Sequence, residues 1–283
     1  MNSSWMPRIP LGTWIEGGLE WLTDVLSGLT RAISAALEIG VEGMIDGLLW
    51  LPPSVLIVLI AALAWFLAGR KIAIGSLIGL FFILSMDLWE ATVGTISLVL
   101  ISTALAIAIG VPLGIWGALN DTFYKIIKPI LDFMQTMPAF VYLIPAIPFF
   151  GLGAVSAIFA TVIFSIPPAI RLTSLGIRQI DEELIEASDS FGSTTMQKLT
   201  KVQMPMAMPT IMAGVNQTIM LALSMAVIAA MIGAGGLGGE VWRAIQRLRP
   251  GAGFEAGIAV VIVAMILDRI TQAVTSDPNK TKD

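Results

Sequence analysis

The chain has 283 residues, of which 56% are apolar and 13% charged, with a formal net charge of −4. Soluble domains carry about 25% charged residues, so the composition excludes a water-soluble globular protein and points to a polytopic, all-α membrane protein. There is no cysteine and no histidine, which excludes disulfide and thiol chemistry and removes the commonest metal ligand and general base.

The N-terminal MNSSWMPRIP lacks a basic segment followed by an apolar core and a small-residue cleavage site, so no cleaved signal peptide is expected. Ile15, Leu19, Leu22, Leu26, Leu29 and Ile33 then recur at spacings of four and three, one face of a helix, with Glu16, Glu20, Asp24, Ser27 and Arg31 opposite. Residues 1–52 therefore read as an N-terminal amphipathic scaffold, lying on the membrane or against a transmembrane bundle. Gly40, Gly43 and Gly47 are expected to break this helix into pieces. A solvated helical hairpin is the alternative for residues 35–50.

Stretches of about 20 apolar residues cross the hydrocarbon. Seven such spans are expected within a transmembrane domain at 53–275: Pro53–Gly69, Ile72–Leu88, Ala91–Leu119, Ile130–Phe150, Ala154–Ile170, Met206–Ile232 and Phe254–Thr271. Lys and Arg in short loops set orientation. Arg70, Lys71, Lys125, Lys128, Arg171, Arg178, Lys198, Lys201, Lys280 and Lys282 all fall on one side, and Arg243, Arg247 and Arg249 on the other. This places the N-terminus outside and the C-terminal tail, 276–283, in the cytoplasm.

No span carries an ionisable residue near its middle; Asp87, Glu90, Asp132, Asp268 and Arg269 sit at ends. Proton-coupled carriers place such groups inside the membrane, so the energy for transport is expected from elsewhere. No internal repeat is apparent, which weakens an inverted-repeat carrier. Proline is concentrated at Pro138, Pro145, Pro148, Pro167 and Pro168. Proline frees backbone carbonyls, and a membrane tolerates these where they face protein or a water-filled cavity. Residues 138–150 and 165–170 are thus candidates for a translocation path, though the prolines would equally serve packing alone.

Gly233, Gly235 and Gly238 fit G-x-G-x-x-G, but a dinucleotide site needs a strand before it and a βαβ unit around it. A span of membrane length precedes it instead, and a flexible outer turn is expected. No G-x-x-x-x-G-K-[ST] phosphate loop occurs, so the chain itself cannot hydrolyse ATP. No catalytic or metal site and no nucleic-acid partner is expected. Asn2-Ser3-Ser4 and Asn279-Lys280-Thr281 fit the N-glycosylation pattern only by chance.

The long polar stretch in the C-terminal half runs from Asp181 to Pro205, within a loop at 178–205. Asp181, Glu182 and Glu183 suit a helix N-terminus, and Gly192 suits a left-handed stop. Ser193 is placed to cap a second short helix ending near Lys198 and Lys201. Pro205 and Pro209 would open the next span.

This stretch resembles the EAA loop of ABC importer permeases: Glu186-Ala187-Ser188, then Gly192, then Val202-Gln203-Met204-Pro205 at the family spacing. Ser188, Val202 and Met204 depart conservatively from the pattern. In that family the loop is the coupling helix held by a cytoplasmic ATPase. A narrower resemblance, over roughly 85–275, is to permeases of glycine betaine/proline betaine importers. It rests on Met137–Pro145, Ile180–Ala187, Met231–Gly238, Arg243–Leu248 and Ile266–Val274.

The resemblance implies a type I ABC importer permease fold in the bacterial inner membrane. It implies a second copy of the chain, two ATPase subunits carrying ATP and Mg, and a separate extracytoplasmic binding protein. It makes Glu186, Ala187, Ser188, Gly192 and Pro205 the ATPase-coupling residues. Pro138, Phe140, Tyr142, Pro145, Pro148, Pro167 and Pro168 become candidate path residues, the aromatic faces easing a cationic head past a constriction. The permease sequence does not choose between glycine betaine and choline, carnitine, trimethylamine N-oxide, sulfonium solutes or an amino acid. A carrier driven by ions alone is the alternative of another class.

Overall fold

The computed structural model describes residues 10–275; the tail at 276–283, with Lys280 and Lys282, and the two N-glycosylation matches lie outside them. The described residues are helical throughout, without strands. In chain order they form α1 (Leu11–Leu49), α2 (Pro53–Ala68), α3 (Arg70–Ser85), α4 (Trp89–Leu119), α5 (Asp121–Thr136), a 3-10 turn (Ala139–Tyr142), α6 (Leu143–Phe150) and α7 (Ala154–Arg178). There follow α8 (Glu182–Ser190), α9 (Thr195–Lys198), a π turn (Leu199–Gln203), α10 (Met204–Ala229), a 3-10 turn (Ala230–Ile232), α11 (Gly236–Gln246) and α12 (Pro250–Thr275).

The bundle is built around α7, which is buried over most of its length between α4 and α10. Lipid tails give apolar helices no hydrophobic reason to associate, so small residues that allow close contact must hold them. Here a Cβ on Gly114 of α4 would lie 2.6 Å from Thr173 Cβ and 2.7 Å from the Ile170 carbonyl of α7. On the other side, a Cβ on Gly214 of α10 would lie 3.0 Å from the Pro168 carbonyl. The core around this trio includes Val93, Val99, Ile158, Leu223, Met225 and Val263, all buried.

Contacts sort the helix ends into two groups. At one end, Arg178 at the close of α7 reaches the carbonyl of Gly117 near the close of α4, and Asp121 at the start of α5. At the other end, Gly153 N–H donates to Ile232 O, and Leu237 N–H donates to Thr95 Oγ1 near the start of α4. The chain between Asp121 and Phe150 therefore crosses from the first end to the second.

That crossing starts earlier than the expected Ile130–Phe150, at Asp121, and it is bent rather than straight. The α5 helix and the Ala139–Phe150 segment meet at 112°. Pro138 sits at the bend with ψ 137°, outside the helical region, and the residue ahead of it, Met137, is extended too, as a residue before proline prefers. Tyr142 braces the corner, its hydroxyl donating to the Met134 carbonyl. Among the described residues, four helices are long and apolar enough to cross a membrane unaided, at Trp89–Leu119, Ala154–Arg178, Thr195–Ile232 and Pro250–Ala273. The expected spans at 53–69 and 72–88 are the 16-residue helices α2 and α3, roughly 24 Å each, somewhat short of the ~30 Å hydrocarbon core. Gly69, at φ 85°, turns one directly into the other.

The N-terminal helix also differs from expectation. Gly40, Gly43 and Gly47 do not break it; α1 is continuous over 39 residues. Glycine costs a helix only about 1 kcal/mol, and Thr30, Leu37, Val41, Ile45 and Leu48 offset this by packing on the bundle, against α4 and α6. The apolar stripe at Ile15, Leu22 and Leu29 faces outward instead. At 101° to α2, α1 lies across the bundle rather than through it.

Gly114→Ala should therefore destabilise the fold by about 1–3 kcal/mol, since the added methyl meets backbone and Cβ atoms that cannot give. Gly43→Ala, where nothing lies within 4 Å of the new methyl, is the control. Thermal unfolding in detergent should show a lower Tm for Gly114→Ala and no such drop for Gly43→Ala; equal melting would contradict the close packing of α4 on α7.

Candidate coupling site and the path residues

The loop begins where α7 ends. Arg178 donates from Nη2 to the Gly117 carbonyl at 2.7 Å, pairs with Asp121 at 2.7 Å and lies over the Tyr124 ring at 4.4 Å. One guanidinium thus ties α7 to the close of α4 and the start of α5. A charge-assisted hydrogen bond of this kind contributes about 1.5–3 kcal/mol; the exposed pair with Asp121 adds less.

From there α8 carries no buried residue. Glu186 and Ala187 are exposed and Ser188 is half-buried. The helix stops at Ser190 and the chain reverses through Gly192, at φ 74°. That is the left-handed stop the sequence called for: Gly192 N–H donates to Asp189 O, and Ser193 N–H to Ser188 O. Ser193 is not the cap of the next helix. Its hydroxyl lies 2.7 Å from the Ser188 hydroxyl and also donates to the Ser188 carbonyl. Thr194 caps instead, in a reciprocal capping box with Gln197. Ser188, where the family pattern has alanine, thus closes the corner with its side chain.

Lys198 Nζ lies 2.7 and 2.8 Å from the two Asp189 oxygens and ties α9 back to α8. Beyond it the expected break before the membrane is missing. Pro205 and Pro209 do not open a new helix. Helical structure runs unbroken from Thr195 to Ile232, passing through the π turn just ahead of Pro205. A proline cannot donate to the carbonyl one turn back, and the wider turn absorbs that missing bond. Pro205 is exposed there. The second arm of the loop and α10 are therefore one rod.

Two exposed apolar side chains complete the corner: Phe191, 91% exposed, and Met196, 67% exposed. Sequence reading passed over both because neither belongs to a periodic stripe. It also counted Arg178 only as a topology marker; the three-way contact is visible only once α4, α5 and α7 are placed.

The path candidates do not share one surface. Pro138, Phe140 and Pro148 are exposed, Pro145 is half-buried, and Tyr142 is buried against Phe164. Ile144 and Pro148 face a groove shared with Glu16, Glu20 and Asp24 of α1. Pro167 and Pro168 are buried inside the α4–α7–α10 trio. At the far end, the glycines read as a flexible turn divide: Gly233 and Gly235 hold positive φ, and a Cβ on Gly235 would have nothing within 4 Å, whereas a Cβ on Gly238 would come within 2.7 Å of Val227 Cα. Gly236 between them also holds positive φ, and a Cβ there would meet Thr95 Oγ1 at 2.5 Å.

Residues 110–277 match the family described as binding-protein-dependent transport system inner membrane component. The chain is 52% identical over 267 residues to the glycine betaine transport system permease protein OpuAB of Bacillus subtilis, covering 94% of this chain and 95% of that one. It is 51% identical over 276 residues to the glycine betaine/carnitine transport permease protein GbuB of Listeria monocytogenes, covering 95% and 96%. To the glycine betaine/proline betaine transport system permease protein ProW of Escherichia coli it is 47% identical over 269 residues, covering 95% and 76%. Among solved structures, a chain of the inward-facing MetNI methionine ABC transporter superposes with a TM-score of 0.56 at 24% identity, over 65% of this chain and 94% of that one, which is a likeness of fold. The chain belongs to the binding-protein-dependent transport system inner membrane component family, as a multi-pass permease of the type I ABC importer fold.

Proposed function

We propose that this permease forms the membrane path of an ATP-driven importer for glycine betaine, with the 178–205 loop as the element that its ATPase grips. The relatives at about half identity carry glycine betaine in their names, which supports the substrate class. One of them also names carnitine, so a longer quaternary ammonium solute is the second reading. A second copy of the chain, two ATPase subunits holding ATP and Mg, and an external binding protein complete the machine. The N-terminus lies outside and the C-terminus in the cytoplasm, as the placement of Lys and Arg favours.

The observation that carries the reading is mechanical. Glu186, Ala187, Phe191 and Met196 project from the bundle end, and the corner they form is fixed by Gly192, Ser188, Ser193 and the Asp189–Lys198 pair. One arm continues as α10; the other enters α7 at the Arg178 latch. A displacement of the corner must move both helices. Solute passes along Pro138, Phe140 and Pro148, on the exposed face of the bent α5–α6 crossing. Tyr142 and Pro145 shape that bend, and Pro167 and Pro168 carry α7 through the trio behind it.

The complex reconstituted in vesicles with its ATPase and binding protein tests this. Gly192→Val places a β-branched residue in the left-handed region, at a cost of roughly 1–2 kcal/mol, with no neighbour for its Cβ to strike. It should insert and melt normally while glycine betaine uptake drops about tenfold and ATP hydrolysis stops responding to the loaded binding protein. Full uptake would remove the coupling assignment. Arg178→Gln should leave the ATPase bound but weaken the link to α4 and α5. ATP hydrolysis per solute imported should then rise about two- to fivefold, consistent with loss of about 1 kcal/mol of coupling; an unchanged ratio would show the latch to be structural only.

A further inference from the structure

A groove of about 440 Å³ runs between α3 and α12, and no part of the proposed transport mechanism uses it. Its walls are apolar: Ile72, Ile78, Phe82, Ile262, Met265 and Ile266. Gly75 keeps it open, since a methyl added there would have nothing within 4 Å, whereas one turn on, Gly79 closes against Ile262, where a Cβ would come within 2.7 Å of Cγ2. Lys71 and Arg269 stand at its coupling-loop end, both exposed. Neither has a carboxylate partner among the described residues; the four ion pairs there lie elsewhere. Asp268, beside Arg269, faces away and accepts from Asn216 and Gln272.

The groove also holds an unmet polar group. Ser76 is 2% exposed, lines the groove, and its hydroxyl has no hydrogen-bond partner. A buried hydroxyl without a partner costs about 1–3 kcal/mol. Two cations at the mouth and an apolar slot beyond them follow the order of groups that a phospholipid presents: phosphate, then acyl chain.

We propose that the α3–α12 groove is a binding site for one anionic phospholipid. Its phosphate lies between Lys71 and Arg269, and one acyl chain fills the slot past Gly75. Basic clefts between membrane helices suit anionic headgroups, each cation being worth about fivefold in affinity. The site is built from residues outside the coupling loop and the path, so it stands or falls separately from the transport reading.

The test uses the full-length chain in nanodiscs of equal phosphatidylglycerol and phosphatidylcholine with matched acyl chains, followed by native mass spectrometry of the lipid retained. Phosphatidylglycerol should be retained over phosphatidylcholine by at least about fivefold. The ratio should fall to near unity in the K71Q/R269Q double variant. Gly75→Leu, which keeps both cations and fills the slot, should lose the bound lipid with an unchanged melting temperature. An unchanged preference for phosphatidylglycerol in the double variant would overturn the proposal. So would displacement of the lipid by inorganic phosphate alone, which would reduce the site to a headgroup contact. Cross-linking of Gly75→Cys to a second copy in native membranes would overturn it too, by making the groove a protein interface; the chain has no native cysteine to confuse that result.

Discussion

Gly114 and Gly214 bring α4 and α10 against the two sides of α7 at backbone distance, and the rest of the molecule depends on that contact. In lipid, only close packing and interhelical hydrogen bonds hold helices together. Where a side chain would separate the backbones, the sequence has glycine; where a polar group lies in the seam, it is small, as Thr173 and Ser174 are. The trio is rigid enough that a push at one end of α7 or α10 arrives at the other. The peripheral α2–α3 hairpin and the α1 strap pack onto it without interrupting it.

The coupling role proposed for the 178–205 loop depends on how the loop joins this trio. A loop on two soft hinges would absorb an ATPase stroke. Here one arm has no hinge at all, since α9 passes through a π turn into α10, and the other is pinned by the Arg178 contacts with Gly117, Asp121 and Tyr124. The corner itself is closed by short-range bonds among Ser188, Asp189, Ser193 and Lys198. At the opposite end, Thr95 clamps the first turn of α11 against α4. The bend at Pro138, 112° between α5 and the segment after it, lies on the exposed side, where the proposed path runs.

Much of this was legible in the sequence. Composition set the class, and the loop pattern set the position of Glu186, Ala187 and Gly192, because a left-handed residue after a short acidic helix leaves a local signature. Of the seven spans expected from apolar length, four correspond to single described helices long and apolar enough to cross unaided. What failed was the kind of signal that depends on context. Gly40, Gly43 and Gly47 look like breaks, but packing overrode a small propensity. Ile130–Phe150 is mostly apolar, and hydropathy cannot see a 112° bend that one proline and its extended neighbour impose. Pro205 reads as a helix start, and only the π turn shows how a helix carries on through it. Arg178 and Thr95 act across 61 and 142 residues, beyond the reach of any local pattern.

The central claim is that the loop corner and α10 move as one body. Cysteines at Met196 on α9 and Met231 past the end of α10, both exposed, allow spin labels on a chain with no other cysteine. Pulsed electron paramagnetic resonance on complexes with one labelled copy reads the distance between them, without nucleotide and with ATP trapped. A rigid lever keeps that distance the same in both states, while the separation of Met196 between two copies changes. A change in the distance within one chain would place a hinge at the π turn and contradict the rigid lever.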